Sequence, residues 1–126
     1  MIKFADAINI LVKEHHPNSG WGYVGDIDNV QDLDGLTIGN NATANFTFND
    51  VVTKKTELEN AEPMRLLRLE RDRKLTETDW WCCSDRTPTQ AQLDYRTTLR
   101  DLPSTASPSL DENGNLTGVT WPIKPE

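Results

Sequence analysis

The stretch from Met64 to Pro103, centred on Asp79-Trp80-Trp81, constrains this chain most, because it reads as a helix, a short aromatic connection and a second helix. In the first helix Met64, Leu67, Arg71 and Leu75 fall on one stripe, which Leu66 and Leu69 widen. Pro63 suits a first helical position, where its missing N–H forfeits no hydrogen bond. Glu70 and Lys74 stand four apart in the favourable order. The second helix is expected to start at Thr87 as N-cap, with Pro88 at the first helical position and Gln90 closing a capping box. Ala91, Tyr95, Leu99 and Leu102 then share one face, and Pro103 ends the helix. Helices joined by so short a connection, Thr78 to Arg86, pack as an antiparallel hairpin.

A structural lock is expected where the two helices meet. A buried indole removes roughly 150–250 Å² from water, so Trp80 is assigned to the interior with Tyr95 and Leu99. Asp79 and Asp85 flank the tryptophan pair, and Arg96 and Arg100 lie four apart on the second helix. Arg–carboxylate contacts among these four would tie the connection to the helix. Read instead as ordinary surface charges, they would contribute only about 0–1 kcal/mol per pair.

Upstream, Phe4, Ala7, Ile8, Leu11 and Val12 follow the amphipathic template, so a helix is expected from Lys3 to His15, ended by His16-Pro17-Asn18 and Gly20. Trp21, Tyr23 and Val24 suggest a strand, and Val30–Ile38 another, interrupted by the Asp34-Gly35 turn. Ala44, Phe46 and Phe48 alternate with polar residues as a third strand would. Thr53 is a candidate N-cap for a helix over Lys54–Ala61, which either continues through Pro63 or breaks there. After Pro103 the composition turns to Ser, Thr, Pro and Ala, a linker that leads to an Asn113-Gly114 hairpin signal and an extended tail anchored by Trp121. The expected fold is α+β, with an N-terminal helix and small antiparallel sheet over residues 1–52. A helical hairpin over 53–103 and a linker with extended tail over 104–126 complete it.

Charge and composition exclude several functions. The net charge is −7. Residues 1–60 carry four basic and nine acidic side chains, residues 61–103 eight of each, and residues 104–126 one and three. Every basic cluster is thus balanced locally, whereas nucleic acid requires an uncompensated stripe. No window approaches the roughly 18–20 apolar residues of a membrane span. Lys3 and Asp6 interrupt any leader-like apolar run, so a cytosolic protein with no membrane partner is expected. A mean hydropathy of −0.63 implies a core divided into small clusters that a partner, or an oligomer, would complete.

Catalytic and metal chemistry is sparse. Cys82-Cys83 and His15-His16 are adjacent pairs far apart in sequence, without the ligand spacing of a zinc site. Two free thiols are expected, and no cofactor. Asp26 and Asp28 match the first two positions of a calcium loop, but Val30 and Thr37 occupy positions that need ligands. Without a phosphate-cradling loop or a nucleophile elbow, a small metal-dependent enzyme is the weakest alternative, and a protein-binding module the reading. Tyr23, Trp81 and Trp121 are the candidate contact residues, since aromatic side chains dominate interface hot spots.

The ordered motifs Arg71-Asp72-Arg73-Lys74-Leu75-Thr76-Glu77-Thr78-Asp79-Trp80, Ser84-Asp85, Tyr95-Arg96-Thr97-Thr98-Leu99-Arg100-Asp101-Leu102-Pro103 and Trp121-Pro122-Ile123-Lys124-Pro125 resemble those of the phage tail assembly chaperone family over residues 57–125. Trp81-Cys82-Cys83 and the long Ser/Thr/Pro linker depart from that pattern. The resemblance implies a non-catalytic protein that binds tail fibre or baseplate components and helps them assemble in the host cytoplasm. A permanent virion component, such as a baseplate or tail-fibre adaptor retained in the tail, is the competing reading.

Overall fold

The first helix, α1 (Phe4–His15), forms because its apolar residues recur at helical spacing, and it buries Ala7, Ile8, Leu11 and Val12. The Asp6 carboxylate accepts the Lys3 backbone N–H at 2.7 Å, satisfying one of the donors that a helix start leaves free. The computed structural model describes all residues, Met1–Glu126. They divide into two compact units, Met1–Ala61 and Glu62–Glu126.

In the first unit, β1 (Trp21–Tyr23) pairs antiparallel with β2 (Leu36–Ile38), in the register Trp21 with Ile38 and Tyr23 with Leu36. Gly35 is required where the chain returns: a Cβ there would stand 2.2 Å from the Val24 carbonyl oxygen. Ile38, Phe46 and Val51 complete the core begun by α1, with Trp21, Leu33 and Leu36 packed on its edge. Residues 30–35 of the expected second strand are loop, and the Ala44–Phe48 strand does not form.

The physical reason is the start of α2 (Phe48–Thr78), six residues before the expected Lys54. The Thr47 hydroxyl accepts the Asp50 N–H, and the Asp50 carboxylate accepts the Thr47 N–H at 2.7 Å, a reciprocal cap. That backbone donor holds the Asp50 carboxyl below the usual aspartate range. Phe46 and Val51, on either side of the cap, both enter the core as a hydrophobic staple. Phe48, now in the first turn, stacks on Phe4 with ring centroids 6.5 Å apart. The alternation of Phe46 and Phe48 therefore marks a helix start, not a strand. Thr47→Ala is expected to cost about 1 kcal/mol, read as a shift in the urea midpoint with unchanged slope.

Helix α2 passes through Pro63 without ending. In the second unit it reaches the turn Asp79–Cys82, after which the chain returns as α3 (Gln90–Thr105). The cap of α3 is Thr89, with Gln92 closing the box, two residues later than the Thr87–Gln90 pairing expected from sequence. Its inner stripe is consequently Gln92, Tyr95, Arg96, Leu99 and Leu102, and Ala91 is exposed. Pro103 lies inside the helix, whose last turn is closed by the Ala106 N–H on the Leu102 carbonyl. A short hairpin follows, β3 (Ser109–Leu110) with β4 (Leu116–Thr117). Asp111 holds its turn by accepting the Asn113 and Asn115 N–H groups. The architecture is α+β: a helix with a small antiparallel sheet, then a helical hairpin and an extended tail.

Candidate functional site

Where α2 hands over to α3, the last carbonyls of α2 lack helical partners, and Arg96 of α3 fills that need. Its Nη1 donates to the Leu75 carbonyl at 2.9 Å and to the Thr78 hydroxyl at 2.7 Å. Its Nη2 donates to the Asp79 carboxylate at 2.8 Å. Arg96 is only 7% exposed and Thr78 is fully buried, so a cation sits at the negative end of the α2 dipole out of water. The Arg96 Nε has no partner. A planar fork can serve three acceptors on two elements, which a single ammonium cannot.

The two tryptophans of the turn take opposite places. Trp81 is 3% exposed and packs with Tyr95, their ring centroids 6.0 Å apart, and with Leu99, Leu75 and Trp121. Burial pushes the Tyr95 hydroxyl above its usual pKa. Trp80 is 49% exposed, edge-on to Trp81, with the Arg86 guanidinium 4.3 Å from its ring centre. The burial expected from sequence, Trp80 inside and Trp81 at the surface, is thus reversed. In a tight turn adjacent side chains point apart, and only the second indole faces the groove that Tyr95 and Leu99 line.

The other expected residues separate. Asp79 joins Arg96, but Asp85 and Arg100 are exposed and form no ion pair. Tyr23 belongs to the first unit, half-buried on β1, its hydroxyl donating to the Asp32 carbonyl at 3.4 Å. Cys82 and Cys83 are exposed free thiols beside the turn. His15 and His16 flank Phe46 in the first unit, where the His16 Nε2 accepts the Asn45 N–H. No three His, Cys, Asp or Glu side chains gather as a metal site. No helix is long and apolar enough to cross a membrane.

Trp121 lies half-buried against the hairpin cluster, with the Lys74 ammonium 5.3 Å from its ring centre. Lys124 pairs with Glu77 at 3.2 Å and stands 5.9 Å from the Trp81 ring centre. Glu77 also accepts Arg73, whose other partner is Glu70. Sequence reasoning missed Arg86, Thr78, Glu77 and Lys124. The signal for Lys124 was its place three residues after Trp121, which in an extended chain carries it about 10 Å along.

The ammonium of Lys124 is the main cause holding the Glu77 carboxyl below the usual glutamate range. A carboxylate whose folded pKa is depressed contributes above its unfolded pKa, and that contribution is lost as pH falls through the folded value. The tail is therefore expected to loosen as pH drops below about 4, seen as a shift of the Trp121 indole N–H resonance toward its unfolded position. Lys124→Ala should flatten that response.

The model of the family described as phage tail assembly chaperone protein matches residues 64–126. No curated protein and no solved structure matches the chain.

Proposed function

We propose that this chain, which belongs to the phage tail assembly chaperone family and serves phage tail assembly in the host cell, acts by binding unassembled tail fibre through the Trp80 face of its helical hairpin, without chemistry of its own. The observation that carries this reading is the division of labour in the turn: Trp81 is locked inside, while Trp80 is held half in solvent beneath Arg86. Tryptophan and arginine are the side chains most enriched at interface hot spots. A rigid, pre-placed indole loses little further freedom on binding. A fibre subunit awaiting its partners exposes apolar surface and unpaired strand edges that aggregate. A chaperone that covers them and releases them on trimer formation prevents that loss.

Co-expression with the tail-fibre protein of the same phage tests the reading. The wild-type chain should raise the yield of soluble, trimeric fibre, and Trp80→Ala should return it toward the yield without chaperone. Equal yields with and without the chain would overturn the proposal. In purified virions the chain should be absent by mass spectrometry, and a stoichiometric amount would assign it to a permanent adaptor or baseplate component instead.

A further inference from the structure

The residues after β4 make no backbone hydrogen bond to the rest of the chain, yet they are firmly placed by side chains. Trp121 fills a seat beside Trp81 and Tyr95, Lys74 lies over its ring, and Lys124 reaches both Glu77 and the Trp81 face. Pro122 and Pro125 favour an extended backbone that needs no internal hydrogen bonds. Such a segment can lift away without breaking any backbone pairing. The seat is also larger than its occupant. Beside Trp121 a cavity of about 430 Å³ opens between Leu66, Leu69 and Glu70 of α2 and Asn115 and Leu116 of the hairpin, and Leu69 at its lining is 61% exposed.

We propose that this C-terminal strap is a built-in stand-in for the client. The groove on the hairpin takes an extended segment of the unassembled tail protein that carries an aromatic residue followed three positions later by lysine or arginine, and the strap must leave before that segment enters. The inference rests on the client-binding reading above and adds to the Trp80 face a second contact, the groove that Trp81 faces, with the part of the client it takes. The chemistry follows from the present occupant. The aromatic position is set by the apolar seat under Lys74, and the cationic position by the Glu77 carboxylate and the Trp81 face. The spacing is set by the extended backbone between them. The 430 Å³ left open admits a further apolar side chain of the client, which the strap does not supply. Because the strap is tethered, it competes at an effective concentration on the order of millimolar. The affinity for a free segment is then reduced by the fraction of molecules whose groove is open.

A fluorescent peptide of residues 118–126 tests this by anisotropy against three full-length chains: wild type, Trp121→Ala and Lys124→Glu. Lys124 is on the surface, so its replacement loosens the strap without opening the core. Both variants should bind the peptide about tenfold or more tightly than wild type does, as expected if the strap is closed in nine-tenths or more of the molecules. A peptide with Trp121→Ala should not bind. Equal binding by all three chains, or no binding by a variant that keeps its helical circular dichroism, would overturn the proposal. If Trp121→Ala unfolds, the Lys124→Glu chain decides alone. Unassembled tail fibre should then displace the peptide from the variants. A fibre whose solubility the chain rescues in co-expression, but which leaves the peptide bound, overturns the assignment of the groove to the client while the chaperone reading stands.

Discussion

Trp81→Ala is expected to destabilise the second unit by about 3–5 kcal/mol, whereas Trp80→Ala, one residue earlier, should cost only about 1 kcal/mol, the scale of its aromatic and cation–π contacts. Trp81 is almost fully enclosed by Tyr95, Leu99, Leu75 and Trp121, so truncation removes the largest apolar surface of the cluster and leaves a cavity that these side chains cannot close. Trp80 is 49% exposed, edge-on to Trp81 and beneath Arg86, so its loss opens no enclosed void. Native domains are stable by only about 5–15 kcal/mol in total, so the first change consumes a large share. Hydrogen exchange at the α3 amides reads the difference directly. Protection should collapse in the Trp81 variant and persist in the Trp80 variant. Comparable losses in both would show that the turn does not divide structure from surface as described.

The second large effect is expected at Arg96. Arg96→Ala should cost about 3 kcal/mol, and the reason is not the ion pair. The Asp79 carboxylate is largely in water, with 63% of its side chain exposed, and is left solvated when the guanidinium goes. The Leu75 carbonyl and the buried Thr78 hydroxyl are not, and each loses a charged donor, although the hydroxyl still donates to the carbonyl at 3.2 Å. A hydrogen bond from a charged donor to such a group contributes about 1.5–3 kcal/mol. Asp79→Asn should therefore cost less than about 1 kcal/mol. Arg96→Lys should fall between the two at about 1–2 kcal/mol, since one ammonium cannot span three acceptors. Urea midpoints for the three variants test that order. An Asp79→Asn loss as large as that of Arg96→Ala would place the stabilisation in the ion pair instead.

Much of the architecture was legible because periodicity and punctuation agree. The α1 stripe, the two helices on either side of the Asp79–Cys82 turn and the Asn113-Gly114 hairpin each carry one unambiguous local signal. Where two signals overlapped, burial decided. Thr87-Pro88-Thr89-Gln90-Ala91-Gln92 contains two threonine–glutamine boxes, and the second wins in the fold, with the Gln92 side chain buried against its cap. Phe46-Thr47-Phe48 alternates like a strand, but Thr47 and Asp50 cap each other and the phenylalanines serve different partners. Pro103 does not end its helix, and of the two readings open at Pro63 the continuous helix holds: each proline withdraws one donor, and flanking turns carry the helices past it. The orientation of Trp80 and Trp81 was not legible, because no period governs a single turn. Nor was the docking of Lys124 on Glu77, which joins residues far apart in sequence.

The affinity of the purified chain for unassembled tail fibre, measured with wild type and Trp80→Ala, tests the central claim most directly. Binding should weaken by about 2 kcal/mol or more, the range of an interface hot spot, while α3 exchange protection stays unchanged. A Trp80→Ala chain that binds fibre as tightly as wild type would contradict the account.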